Sequence, residues 1–219
     1  MKELIIAFGL FFFIEGILYA LFPSKMKNML KKIEIIKDSQ LRTGGLIFGI
    51  LAFFLTGCSN MKLEDFADKK PEFKLEEYFL GKTTASGLFI DLFGKVKRQF
   101  TVEMEGIQQG DVFILNETFL YDNGEEEFRR WEITKTGEKT YEGNSSDIIG
   151  VAKGERSGNA VNWHYTLKLK YGDGILNVKF DDWLIMQDEK NVFNKATMKK
   201  FGLRLGDVYL FFRLSLIHI

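Results

Sequence analysis

The stretch "NWHYTLKLKYGDGILNVKFDDWLIMQ", residues 162–187, decides the fold class of this chain. Apolar or aromatic side chains alternate with polar ones on both sides of the central "GDG". This is the period of a β-strand with one buried face. The glycine-rich centre is a typical turn sequence, so the stretch predicts a β-hairpin. The apolar positions are Trp163, Tyr165, Leu167 and Leu169 before the turn, and Leu176, Val178 and Phe180 after it.

Similar alternating segments follow one another after Leu80, separated by further turn sequences such as Asp122-Asn123-Gly124. In residues 111–121 we assign Val112, Ile114 and Phe119 to the apolar pattern. Roughly nine or ten short strands of this kind are typical of an antiparallel sandwich or barrel. A chain of adjacent hairpins favours a meander that closes on itself, which leaves no exposed edge. We therefore expect a mainly β fold, an antiparallel calycin- or lipocalin-like β-barrel.

The composition excludes several classes of function. The 219 residues carry 30 Lys or Arg and 30 Asp or Glu, so there is no basic excess to indicate a nucleic-acid partner. One Cys cannot form a disulfide within the chain. With one Cys and two His, a zinc site is not expected, and we expect neither a metal nor a cofactor.

Two long apolar segments precede the β-rich part, and we expect both to form transmembrane helices. Residues 4–22 contain one charge, Glu15, and are long enough to span a bilayer core. Residues 43–58 form the second segment. The connecting residues 24–42 hold six Lys or Arg against two acidic residues, which predicts a cytoplasmic loop. Glu15 is expected to make an intramembrane helix–helix contact, with proton transport as the weaker alternative.

The second apolar segment ends in "LTGC", which matches the lipobox of bacterial lipoproteins. Leu55, Thr56 and Gly57 supply the residues before the cleavage point, and Cys58 supplies the thiol that carries the lipid. The segment also has the apolar length of a signal peptide. We interpret it as a membrane helix that doubles as a lipoprotein signal. The alternative is a chance cysteine at the end of a helix.

Two family resemblances meet in this segment. Residues 1 to about 52 resemble the YjeT-like two-helix membrane protein family, domain of unknown function 2065, through "IEGILYALFPSKMKNML" and "DSQLRTGGLIFG". Residues from about 50 to 213 resemble the bacterial lipoprotein family named domain of unknown function 3833. The matching segments include "LTGCS", "YDNGEEEFRRWEI" and "IIGVAKGERSGNAVNWHYTL". The resemblance implies an envelope lipoprotein without an established activity.

These observations predict three segments. Residues 1–57 form a membrane anchor, residues 58–213 a lipoprotein barrel, and residues 214–219 a terminal addition. The last segment, "LSLIHI", is the translation of CTG TCT CTT ATA CAC ATC, which resembles a transposon end used in sequencing adapters. We interpret it as untrimmed adapter. The expected location is the bacterial envelope, with the helices in the inner membrane and the barrel on the periplasmic face of the inner or outer membrane.

Several side chains are candidates for ligand contact. Arg129 and Arg130 lie beside Trp131 and could clamp a lipid phosphate, although arginine also commonly covers an aromatic ring. Trp163 and Trp183 complete the candidate set. The remaining polar candidates receive structural interpretations, with adjacent Asp181 and Asp182 on opposite faces of a strand and His164 as a cross-strand residue.

No catalytic motif is visible, and so we expect a protein without enzymatic activity. The leading hypothesis is a lipoprotein that binds a lipid or another apolar molecule in its barrel. The alternative is a periplasmic adaptor whose helices bind a membrane-protein partner, and a hydrolase without a known motif is the weakest alternative. Membrane lipid is an expected partner in either of the first two cases.

Overall fold

The computed structural model describes residues 2–56, 61–172 and 174–214. The chain forms two compact units, Met1–Asn60 and Met61–Ile219. The finer boundaries expected after residues 57 and 213 stay predictions. Leu214 is the last residue of a strand, and the rest of the 214–219 segment lies outside the described residues.

The first unit is helical, as expected. It comprises α1 (Lys2–Leu21), α2 (Pro23–Ile35) and α3 (Asp38–Thr56). The basic connection between the apolar segments is therefore mostly helix α2, which begins at Pro23, where the missing N–H of proline is tolerated.

The expectation of two transmembrane helices stays a prediction. Within the described part of the chain, no single helix is long and apolar enough to cross a membrane. One bent pair, Gly9–Leu21 with Pro23–Ile33, reaches the required length and composition, and its two parts meet at 107°.

The second unit is a closed barrel of ten antiparallel strands, which confirms the mainly β fold. Each strand pairs with the next one along the chain, and β1 pairs with β10 to close the sheet. The strands are β1 (Gly81–Asp91), β2 (Val96–Gln109), β3 (Val112–Tyr121), β4 (Glu126–Lys135), β5 (Thr140–Asn144), β6 (Ala152–Ser157), β7 (Ala160–Tyr171), β8 (Gly174–Met186), β9 (Asn191–Lys200) and β10 (Leu203–Leu214). A 3-10 turn (Leu63–Phe66) and the one-turn helix α4 (Leu75–Tyr78) precede them.

The hairpin predicted from residues 162–187 is formed by β7 and β8. Tyr165 pairs with Phe180, and their rings stack with centroids 5.0 Å apart. Leu167 pairs with Val178, and both are buried, whereas the intervening Lys179 is exposed. The alternation in the sequence therefore identified the inner face of these two strands correctly.

The prediction of which β3 side chains face the core is only partly right. Leu115, Glu117, Phe119 and Tyr121 point into the barrel. Phe119 was assigned correctly, but Val112 and Ile114 belong to the opposite face, because neighbouring side chains in a strand point in opposite directions. Residues 112–115 are four consecutive apolar residues, so alternation could not indicate which of these side chains face the core.

The segment that leads into β1 closes one end of the barrel. The backbone N–H of Phe73 donates to the carbonyl of Gly158 at 2.8 Å, and the hydroxyl of Tyr78 donates to the carbonyl of Lys190 at 3.0 Å. Both acceptors lie in turns at this end. Phe79 packs edge to face on Phe212 at 5.4 Å. A Cβ atom on Gly106 would collide with the carbonyl oxygen of Phe79, which explains the glycine in β2.

Candidate ligand-binding cavity

The barrel encloses a cavity of about 820 Å³. Such a volume lies within the range of about 300–1,000 Å³ that is usual for small-molecule sites. Its wall is mostly apolar and aromatic, and it extends from α4 toward the turns at the other end. Representative wall residues are Phe119, Trp131, Trp163, Leu167, Phe180 and Phe212.

A group of polar side chains interrupts this apolar wall. Arg129 on β4 lies at its centre, and its Nε donates to Oδ2 of Asp147 at 2.8 Å. Its guanidinium also lies 3.8 Å from a Glu117 carboxylate oxygen and 3.7 Å from a Glu127 oxygen. The indole N–H of Trp131 donates to Glu117 at 3.3 Å. One cation is thus surrounded by three carboxylates.

Asp182 on β8 forms a second polar group on the same wall. The hydroxyl of Tyr165 donates to Oδ2 of Asp182 at 2.9 Å. The amide of Asn194 on β9 donates to Oδ1 of the same carboxylate and also to the carbonyl of Trp183 at 3.0 Å. Asp182 therefore accepts hydrogen bonds from two neighbouring strands.

Burial changes the protonation of both inner carboxyl groups. It raises the pKa of Glu117 to about 7, although Arg129 opposes the shift. Burial likewise raises the pKa of Asp182, against the hydrogen bonds from Asn194 and Tyr165. Burial disfavours the charged form of Arg129, but Glu117 and Asp147 outweigh this effect and raise its pKa. The cavity therefore holds a permanent cation beside carboxyl groups that accept protons readily.

The structure places three of the five candidate ligand contacts in the cavity wall. Arg129, Trp131 and Trp163 line it. Arg130 is exposed and pairs with Glu132 at 3.5 Å. Trp183 faces away from Asp182 and packs on Phe66 at 5.7 Å. Whether any of the five contacts a ligand stays a prediction.

Trp163 occupies its place because of a glycine on the neighbouring strand. Gly154 pairs with Trp163, and a Cβ atom at Gly154 would lie only 2.8 Å from the indole ring. Tyr141 packs on the same ring, with centroids 6.2 Å apart. The bare backbone of β6 thus makes room for a large aromatic side chain in the wall.

Sequence reasoning did not select Glu117, Tyr165, Asp182 and Asn194 as site residues. Asp181 and Asp182 do lie on opposite faces, as expected, with Asp181 on the outside, 3.6 Å from His164 and 3.5 Å from Lys199. That interpretation dismissed both carboxylates, although one of them faces the cavity. The available signal was Glu117, a charged residue at an inward position of β3.

Among the residues that the structure describes, the lining of the cavity includes none of the remaining predicted site residues. Among the described residues there is no cluster of three or more His, Cys, Asp or Glu side chains that could hold a metal ion. Gly57 and Cys58 of the lipobox lie outside the described residues, and of Leu55 and Thr56 only the backbone in α3 is described. Glu15 is half-buried in α1, and its intramembrane contact stays a prediction.

One solved structure similar to this chain is the S-type phycobiliprotein lyase CPES from Guillardia theta. The two share 10% sequence identity with a TM-score of 0.49, over 71% of this chain and 94% of that one. No curated protein sequence matches the chain. The similar structure is that of a lyase, so the expectation of a protein without enzymatic activity is wrong as a general exclusion. The likeness assigns no reaction to this chain.

Two family models match the sequence and confirm both resemblances. The family described as "Uncharacterized protein conserved in bacteria (DUF2065)" matches residues 4–57. The family described as "Protein of unknown function (DUF3833)" matches residues 52–214, which is most of the chain and all ten strands. The matches overlap at residues 52–57, which include the start of the "LTGC" segment. The chain belongs to the DUF3833 family.

Proposed function

We propose that the barrel binds one mainly apolar small molecule whose polar head is uncharged or cationic. The observation that carries this proposal is the cavity of about 820 Å³, whose apolar wall contains two polar groups, one around Arg129 and one around Asp182. An apolar wall with a few convergent polar groups is the usual form of a small-molecule site.

The polar groups determine which head fits. Arg129 is already engaged by Asp147 at 2.8 Å and by Glu117 and Glu127 at longer distances. An anionic head would therefore enter a region that already holds more carboxylates than cations. A hydroxyl or ammonium head can donate hydrogen bonds to Glu117 and Asp182. Burial raises the pKa of both carboxyl groups, because the cavity disfavours a buried charge that lacks compensation.

Photo-cross-linking in the full chain tests this proposal. Three probes with the same diazirine-bearing alkyl chain carry an amine, an alcohol or a carboxylate head. Peptide mapping locates each adduct, so labelling of the barrel is separated from labelling of helices α1–α3. We expect adducts on cavity residues such as Trp131 and Phe212 with the amine and alcohol probes. The carboxylate probe should give about tenfold less, since a poorly compensated buried charge costs at least about 1–3 kcal/mol.

A matched pair of variants on β9 controls for non-specific labelling. Ala196 lines the cavity, so Ala196→Phe should fill part of it and abolish the barrel adducts. Lys195 lies on the opposite face, so Lys195→Phe adds the same side chain outside and should leave the adducts unchanged. Equal labelling in both variants would contradict ligand binding in the cavity. It would favour the adaptor alternative, in which the barrel interior has no binding role.

The location we propose is the bacterial envelope, with a lipid on Cys58. The "LTGC" sequence at the end of the apolar segment supports this. Such a tether would hold the barrel near the membrane, where apolar ligands are concentrated. Labelled-lipid incorporation is the direct test.

A further inference from the structure

Large apolar side chains project into solvent from turns at the end of the barrel opposite α4. Phe93 between β1 and β2 is 85% exposed, and Phe201 between β9 and β10 is 92% exposed. Ile175 at the start of β8 is 70% exposed. Leu92 and Leu203 flank the two phenylalanines and are also exposed. Clusters of exposed apolar residues of this kind mark interaction sites.

Phe201 occupies a backbone conformation that a bulky residue rarely adopts. Its φ is +51°, and the following Gly202 has a φ of +79°. Positive φ at both central residues of a two-residue hairpin is usually achieved with Asn, Asp or Gly. The Phe201 ring lies 5.2 Å from Nζ of the neighbouring Lys200 and is otherwise mostly in solvent, so it contributes little to the core of the barrel. The strain points to a role for Phe201 outside the folded unit.

The apolar turns lie side by side on one half of the barrel end. The strand order places the β1–β2, β9–β10 and β7–β8 turns next to one another. The N–H of Leu92 donates to the carbonyl of Leu205 at 3.1 Å, which joins the first turn to β10. The Asp91 carboxylate accepts from the N–H groups of Phe93 and Lys95, both at 3.0 Å, which fixes the tip. We name residues 91–98, 168–175 and 199–204 the basic rim.

Charge divides this end of the barrel into two halves. The basic rim contains eight Lys or Arg against two Asp. The β3–β4 turn on the other side, residues 122–127, contains four acidic residues and no basic one. The cations of the basic rim are Lys95, Lys97, Arg98, Lys168, Lys170, Lys199, Lys200 and Arg204.

We propose that the basic rim docks the barrel on the surface of an anionic lipid bilayer. The phenylalanine tips enter the interface, where aromatic side chains are favoured. Four cations of the rim already pair with carboxylates: Lys97 with Asp91, Arg98 with Glu125, Lys199 with Asp181 and Arg204 with Asp207. The other lysines of the rim bind the headgroups, each worth roughly fivefold in binding near an anionic surface. The acidic 122–127 turn, whose Glu125 pairs with Arg98 of the rim at 2.6 Å, lies at the edge of the docked face. The complementary charge selects a bilayer over a neutral apolar protein surface.

Docking would place the cavity entrance against the lipid. Asp91, Lys97 and Lys170 belong to the basic rim and also line the cavity. An apolar ligand could then move between bilayer and barrel without crossing water. This consequence rests on the proposed function, whereas the docking itself requires no bound ligand.

Site-directed spin labelling of the full chain tests the docking. Single cysteines replace Phe93, Phe201 or Phe128 in a Cys58→Ser background, and each labelled chain is reconstituted into vesicles. Phe128 is the matched control because it is 65% exposed and follows the acidic turn. In phosphatidylglycerol-containing vesicles, labels at 93 and 201 should collide more with oxygen than with a water-soluble nickel complex. The label at 128 should show the reverse.

Anchoring of the chain by its helices does not affect the result, because the accessibility of each spin label reports the depth of that position in the bilayer. Replacing Lys95 and Lys200 by glutamine should lower the docked-to-free ratio roughly 25-fold. Water-like accessibility at all three positions in anionic vesicles would overturn the proposal. Spin–spin broadening at position 93 that persists without vesicles would also overturn it and identify a second copy as the occupant. Photo-cross-linking in the cavity is measured separately, so either result stands without the other.

Discussion

Replacing Glu117 by glutamine should remove much of the pH dependence of barrel stability near neutrality. Burial raises the pKa of this carboxyl from 4.5 to about 7. The folded state therefore holds a proton that the unfolded chain releases. Its contribution to stability is fully present below about pH 4.5 and is lost as the pH rises through about 7. Between about pH 5.5 and about pH 8.5 the loss amounts to about 2 kcal/mol.

Urea unfolding followed by tryptophan fluorescence measures this effect. The three tryptophans of the chain lie in β4, β7 and β8, so the signal reports the barrel even in the full chain. The wild-type free energy of unfolding should fall by about 2 kcal/mol more than that of Glu117→Gln across this interval. Asp182 has a shift in the same direction and will leave a residual slope in the variant.

Glu105→Gln is the matched control, since Glu105 is an exposed glutamate on the neighbouring β2. It should reproduce the wild-type profile. Parallel pH profiles for wild type and Glu117→Gln would refute the reasoning, because they would show that Glu117 is not kept protonated by the cavity.

Three further predictions concern single substitutions. Arg129→Met should lower the free energy of unfolding by about 3–5 kcal/mol, because it leaves Glu117 and Asp147 without their cation. The control Arg130→Met, on the exposed face, should change the free energy of unfolding by less than about 1 kcal/mol. Equal effects in urea unfolding would contradict the placement of Arg129. Gly106→Ala should cost about 1–3 kcal/mol, because its Cβ collides with the Phe79 carbonyl, and an unchanged thermal midpoint would argue against the closed end. Cys58→Ser should abolish incorporation of labelled fatty acid in a bacterial host, and labelling that persisted in this variant would exclude the lipobox interpretation.

The barrel was predictable from sequence because apolar and polar side chains alternate clearly along most of its strands. In β7, and in β8 as far as Phe180, every second residue is apolar, and the turn between the two strands contains two glycines. The same reasoning failed in the first half of β3, because residues 112–115 are all apolar and the pattern does not indicate which of them face the core. Closure at α4 was not predicted, because it depends on contacts of Phe73 and Tyr78 with distant turns.

The polar groups in the cavity were harder to anticipate. Arg129, Trp131 and Trp163 were selected by residue type and lie in the wall. Asp182 was dismissed because its neighbour Asp181 points the other way, although a single inward carboxylate is sufficient for a site. Its partners Tyr165 and Asn194 lie on different strands, and only the barrel brings them together.

A crystal structure of the full chain grown with a bromine-tagged alkylamine would locate a ligand bound in the barrel. We expect an anomalous bromine peak inside the barrel, near Trp131 and Phe212, with the amine within hydrogen-bonding distance of Glu117 or Asp182. A cavity filled only by ordered water, with bromine peaks confined to the outer surface, would contradict ligand binding in the barrel.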